Sequence, residues 1–129
     1  MFLKILIVDD DAAMLKLYER IFCGQDYSIT LAASVAAASA LIKANCYDLL
    51  ITDLMLGDGL GTELTQLFTK EFPRAKSLIV TGSLAEIAEQ DLSGVAECLD
   101  KPLRIDSFLE AVTRALAKSS GVACGALQA

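Results

Sequence analysis

Asp48-Leu49-Leu50-Ile51-Thr52-Asp53 is the stretch from which the fold can be read. Its apolar run is bounded by Asn45 on one side and by Gly57-Asp58-Gly59 on the other. A short unbroken apolar run between turn signals is the pattern of a strand covered on both faces, as in the middle of a parallel sheet. Ligands of such sheets bind beyond the carboxyl ends of the strands. Asp53, a carboxylate ending so apolar a segment, therefore marks the expected site.

Upstream, Lys4-Ile5-Leu6-Ile7-Val8 is a second β-branched apolar run, and it ends in Asp9-Asp10-Asp11. Residues 12–22 place Met14, Leu15, Leu17, Tyr18, Ile21 and Phe22 at helical spacing, with Asp11 as N-cap and Gly24 as the stop. Residues 27–32 read as a strand, and Ser34 caps an alanine-rich helix over 35–44. Downstream, Gly57, Gly59 and Gly61 loosen a loop before a helix over 63–72 that halts at Pro73. A strand over 77–81 ends in Thr81-Gly82, and a modest helix over 84–92 packs through Leu84, Ile87 and Ala88. A fifth strand over 95–99 ends at Asp100-Lys101-Pro102, and a helix over 105–118 packs through Ile105, Phe108, Leu109, Val112 and Leu116. Five strands alternating with five helices predict an α/β fold, a doubly wound parallel sheet with helices on both faces. Residues 1–118 form the domain, and 119–129, small and Gly/Ala-rich, read as a flexible tail or the start of a linker.

Composition narrows the function classes. A chain of 129 residues holds one core. At 54% hydrophobic it is apolar, yet no run reaches the roughly 18 residues of a membrane span. The first residues lead straight into a strand with no signal-peptide pattern, so a cytoplasmic location is expected. Cys23, Cys46, Cys98 and Cys124 show no paired spacing and there is no histidine, which argues against a zinc site and for reduced packing residues. A net charge of −6 argues against direct nucleic-acid binding and for a cation as partner.

Aligning the strands brings Asp9, Asp10, Asp53, Thr81 and Lys101 to one edge of the sheet. Carboxylates gathered within a few ångströms raise one another's pKa values unless something positive sits among them. With only oxygen ligands, the cation would be Mg²⁺ or Mn²⁺, which takes carboxylates together with phosphate oxygens. Asp53 can then serve as a nucleophile toward phosphorus, with Lys101 and Thr81 at the phosphoryl oxygens.

In Val8-Asp9-Asp10, in Leu50-Ile51-Thr52-Asp53-Leu54-Met55-Leu56, in Val80-Thr81-Gly82 and in Lys101-Pro102, the chain resembles a response-regulator receiver domain of two-component signalling. The matches run in family order over residues 4–118. The resemblance implies a flavodoxin-like sheet of order 2-1-3-4-5 and a phosphoryl group passed to Asp53 from a histidine kinase or phosphotransfer protein. It further implies Mg²⁺ held by Asp10, Asp53 and the Met55 carbonyl, with Asp9 acting through water, phosphoryl contacts from Thr81 and Lys101, and a cis Lys101-Pro102 peptide. Signalling would then reach an effector or a second copy through the face of helix four, strand five and helix five. Such a protein is a switch rather than an enzyme, with at most slow self-dephosphorylation.

Three departures from the family pattern stand out. Gly57 replaces the usual proline, so the loop after strand three is expected to be less restrained. Cys98 stands where an aromatic relay is common. Met55 has no polar group to orient an attacking water, so slow hydrolysis of the acyl phosphate is expected. Two other readings compete: a haloacid-dehalogenase-type phosphatase with Asp9 of Asp9-Asp10-Asp11 as nucleophile, and a pseudo-receiver that docks without phosphorylation. Taken singly, Asp11 and Asp58 read as helix caps or turn formers, and the glycines around Asp58 lack the Lys-Ser/Thr of a phosphate-binding loop.

Overall fold

The computed structural model describes residues 2–118. In chain order the elements are β1 (Leu3–Val8), α1 (Ala12–Phe22), β2 (Tyr27–Ala32), α2 (Val35–Ala44), β3 (Leu49–Thr52), β4 (Met55–Leu56) and β5 (Gly59–Leu60). They continue with α3 (Gly61–Glu71), β6 (Lys76–Thr81), a 3-10 segment (Leu84–Glu89), β7 (Val95–Asp100) and α4 (Ile105–Lys118). The main sheet has five parallel strands in the order β2-β1-β3-β6-β7, the expected doubly wound arrangement.

The apolar runs supply both cores because side chains alternate across a strand. Ile5 and Ile7 of β1 and Leu49 and Ile51 of β3 face one layer, built with Tyr18, Ile21 and Phe22 of α1 and Phe108, Ala111, Val112 and Ala115 of α4. Leu6, Val8 and Leu50 face the opposite layer, built with Ala38 and Ile42 of α2 and Leu64 and Phe68 of α3. Phe108 binds α4 to α1 through rings 5.6 Å from Tyr18 and 5.8 Å from Phe22. Each such fully buried side chain contributes roughly 1.5–3 kcal/mol, so the two layers make the central strands the rigid base of the site.

Helix ends follow local chemistry. Asp11 accepts from Ala13 N and Ser34 from Ala37 N, capping α1 and α2 as expected. α3 starts two residues earlier than the sequence suggests, with the Glu63 carboxylate accepting from Leu60 N at 2.8 Å. The fourth helical element is a 3-10 helix and ends at Glu89 rather than Leu92. There the Asp91 carboxylate takes the N–H and hydroxyl of Ser93, a local turn that competes with helix continuation, and Gly94 follows at φ 81°. None of its residues is fully buried: Ile87 is half-buried, but Leu84 and Ala88 are exposed and do not pack as expected, and Ile105 of α4 is also exposed.

Cys23 and Cys98 are free thiols. Cys46 packs against the second layer as expected but is disulfide-bonded, so its reading as reduced does not hold. Cys124 and the tail over 119–129 lie outside the described residues. Among the described residues no helix is long and apolar enough to cross a membrane.

Candidate functional site at the carboxyl edge of the sheet

Strand register assembles the site. β1 pairs with β3 so that Val8 lies opposite Thr52, and the Asp53 N–H donates to the Val8 carbonyl at 3.1 Å. Asp9 and Asp53 therefore leave the sheet side by side. β6 pairs with β7 so that Thr81 lies opposite Asp100, and Lys101 N donates to the Thr81 carbonyl at 3.0 Å. This brings Lys101, from the edge strand, back across β6 toward the acids. The Lys101-Pro102 peptide is cis, as the resemblance implies.

Asp9, Asp10 and Asp53 each offer a carboxylate oxygen, and these atoms lie within 4.8 Å of one another. Asp9 is fully buried, Asp53 is 9% exposed, and Asp10 faces solvent. The Lys101 ammonium stands 2.9 Å from Asp9 Oδ2 and 2.9 Å from Asp53 Oδ2, bridging the two. Asp9 Oδ1 also accepts from Asp11 N at 2.9 Å. Burial holds the Asp9 carboxyl above its ordinary range despite the Asp11 N–H and the Lys101 ammonium, and the nearby Asp53 charge adds to the rise. For Lys101, burial works to lower the pKa, but the two carboxylates outweigh it and hold the ammonium charged. The unfavourable burial of one acid is thus tied to the Lys101 ammonium.

Thr81 is buried at the same edge, and its hydroxyl accepts from Ser83 N at 3.0 Å. Among the described residues no hydrogen bond joins Thr81 to the acids. Met55, in β4, is 46% exposed, and its N–H lies 3.4 Å from Asp53 Oδ1. Cys98, at the position of the absent aromatic, lies mid-strand in β7 and is partly buried, which pushes its thiol pKa up. Such a thiol is a poor nucleophile and a packing group.

The segment after Asp53 departs from expectation. Rather than a loosened loop, β4 and β5 form a small antiparallel hairpin pairing Met55 with Leu60 and Leu56 with Gly59. Asp58 at its tip accepts from Val35 N at 2.8 Å and Ala36 N at 3.0 Å, pinning it to the start of α2. Asp58 does cap a helix, but one that precedes it by 23 residues. Gly61 was also missed as a site residue: a Cβ there would meet the Asp53 carbonyl oxygen, while Gly61 N donates to Leu54 O at 2.7 Å. Only a glycine admits that close backbone approach. The run Gly57-Asp58-Gly59-Leu60-Gly61 signals close packing or a turn, but not which backbone is approached.

Residues 5–113 match the response regulator receiver domain, and the chain belongs to that family, the receiver domains of two-component response regulators. Among curated relatives, it is 30% identical over 115 residues to the alginate biosynthesis transcriptional regulatory protein AlgB of Pseudomonas aeruginosa, covering 88% of this chain and 26% of that protein. It is also 30% identical over 118 residues to the transcriptional regulatory protein GlrR of Escherichia coli K12, covering 90% and 27%. The chain spans about a quarter of the length of these relatives. Its structure is similar to a CheY-like response regulator receiver domain protein from Methanospirillum hungatei, with a TM-score of 0.81, 29% identity, and coverage of 92% of this chain and 97% of that one. The non-phosphorylated HemR receiver domain of Leptospira biflexa aligns with a TM-score of 0.76 at 26% identity over 89% and 94%.

Proposed function

We propose that this domain is a phosphorylation switch in which Asp53 accepts a phosphoryl group from a phosphohistidine of a histidine kinase or phosphotransfer protein. An Asp53 carboxylate oxygen attacks phosphorus, the P–N bond breaks, and its electron pair returns to the imidazole. The observation that carries this reading is the Lys101 ammonium bridging Asp9 and Asp53 at 2.9 Å each, a fixed positive charge where phosphoryl oxygens would gather. Thr81 would turn from Ser83 N to donate to another of those oxygens.

The all-oxygen donor set fits a small hard divalent cation, and Asp9, Asp10, Asp53 and the Met55 carbonyl would hold Mg²⁺ or Mn²⁺. When bound, the cation offsets the charge of the acids and of the incoming phosphoryl group. The domain is then a signalling switch with at most slow self-dephosphorylation, working in the cytoplasm. Because the curated relatives are much longer transcriptional regulators, output is expected through an effector or a second copy at the face of the 3-10 segment, β7 and α4. That step biases an equilibrium between two forms.

The phosphatase reading needs Asp9 as nucleophile, and full burial behind Lys101 and Asp11 N argues against it. Incubation with a small phosphodonor and Mg²⁺, borohydride reduction of the acyl phosphate and mass spectrometry test the assignment. Homoserine at position 53 is expected. Homoserine at position 9 would make the protein a phosphatase, and no label at all would make it a docking module.

A further inference from the structure

We propose that Asp58, outside the acidic cluster, is a positioning residue that sets the geometry of the cation-holding acids through the β4–β5 hairpin. The inference rests on the reading of Asp9, Asp10 and Asp53 as an Mg²⁺-dependent phosphoacceptor site.

Two strands of two residues each make a ribbon too small to hold its own place, so its anchors decide where it lies. Its base is tied by Gly61 N to Leu54 O, and its exit by Leu60 N to Glu63. Both ties lead into the start of α3, the element that directly follows the hairpin. Asp58 alone among these anchors reaches an element distant in the chain, α2. Both of its carboxylate oxygens are engaged, one on Val35 N and one on Ala36 N, which fixes the rotation of the group as well as its distance. The first-turn N–H groups of a helix are the donors a carboxylate prefers.

The hairpin so held borders the site at two points. Met55 N lies 3.4 Å from Asp53 Oδ1, and a Cβ on Gly57, next to Asp58, would sit 3.5 Å from Asp10 Oδ2. Gly57 has no side chain with which to restrain this approach. Asp58 therefore fixes the backbone against which Asp10 and Asp53 are aligned, at a distance from the cation it would influence. Outer partners of this kind commonly alter metal affinity by about 10–100-fold when removed.

Ser34 provides the comparison that separates positioning from simple helix capping. Its hydroxyl accepts from Ala37 N at 3.0 Å at the same end of α2 and, among the described residues, makes no hydrogen bond to the hairpin. The experiment is Mg²⁺ titration by calorimetry on the unaltered protein, Asp58→Ala and Ser34→Ala, with thermal midpoints recorded for each. Asp58→Ala is expected to weaken Mg²⁺ binding by about tenfold, while Ser34→Ala lowers the midpoint without changing affinity. Should Asp58→Ala not fold, Asp58→Asn, which keeps one acceptor, should show an intermediate loss. Affinity unchanged on altering Asp58, or equally weakened by Ser34→Ala, overturns the positioning role alone. Failure of the unaltered protein to bind Mg²⁺ overturns the underlying reading of the site as well.

Discussion

Gly61 lies against the main-chain carbonyl of Asp53 so closely that a methyl group on its α-carbon would fall on that oxygen. The obstacle is backbone, at the end of a strand buried on both faces, so neither side can give way cheaply. Gly61→Ala is therefore expected to destabilise the domain by about 1–3 kcal/mol and to displace Asp53 enough to suppress phosphoryl acceptance. Urea unfolding and phosphodonor labelling measure the two effects. Wild-type values in both would mean the loop can lift away without moving the acid.

Lys101 is the cation that compensates Asp9, and its removal should expose a pH signature. Burial holds the folded Asp9 pKa above the ordinary 3.8. Since the folded value exceeds the unfolded one, this carboxyl's contribution to stability is complete below pH 3.8 and is lost as pH rises through the folded pKa. Lys101→Met should accordingly cost about 1–3 kcal/mol at pH 7, with the cost shrinking as the pH is lowered and Asp9 takes up a proton. Adding Asp9→Asn to that variant should restore most of the loss at pH 7, which a double-mutant cycle by chemical denaturation reads as coupling between the two residues, and additive losses would overturn the pairing.

The 3-10 segment is held at both ends by residues next to the site. Ser83 N donates to Thr81 Oγ1 at 3.0 Å, and Thr62 Oγ1, beside Gly61, donates to Gln90 Oε1 at 2.9 Å. Nothing in the segment is fully buried, and these two ties link its ends to the residues around the site. Thr62→Val, which keeps the shape but removes the hydroxyl, should speed amide exchange over residues 84–90 by about fivefold, the equivalent of about 1 kcal/mol. Labelling of Asp53 should be unaffected. Exchange that stays at the wild-type rate would place the control of this segment elsewhere.

Met55 presents an exposed apolar side chain two residues beyond Asp53. With no polar group there to orient water, the acyl phosphate should be long-lived. Met55→Asn is expected to shorten its lifetime by about tenfold or more, read from loss of label after the phosphodonor is removed. An unaltered lifetime would shift attention to other groups around the acid.

Much of the architecture was legible because its signals are local. Unbroken apolar runs marked β1 and β3, the side chains of Asp11 and Ser34 marked two helix starts, and acids, hydroxyl and lysine at strand ends marked the edge where the candidate site lies. The boundaries of α3 and of the 3-10 segment were less legible, since they depend on Glu63 reaching Leu60 N and on the Asp91–Ser93 turn competing with a helical reading of the same residues.

By itself, then, the sequence determined the parallel α/β fold and the set of residues gathered at Asp53, because hydrophobic period and residue chemistry are properties of short segments. Only the tertiary structure decided that Lys101 spans Asp9 and Asp53, that Thr81 is turned to Ser83, and that the glycine-rich segment is a pinned hairpin rather than a loose loop. Those outcomes depend on strand register and on Asp58 meeting a helix start 23 residues earlier in the chain. Spatial neighbours so far apart in sequence leave no periodic trace, and the same glycines that permit a loose loop also permit the close backbone approach that tightens this one.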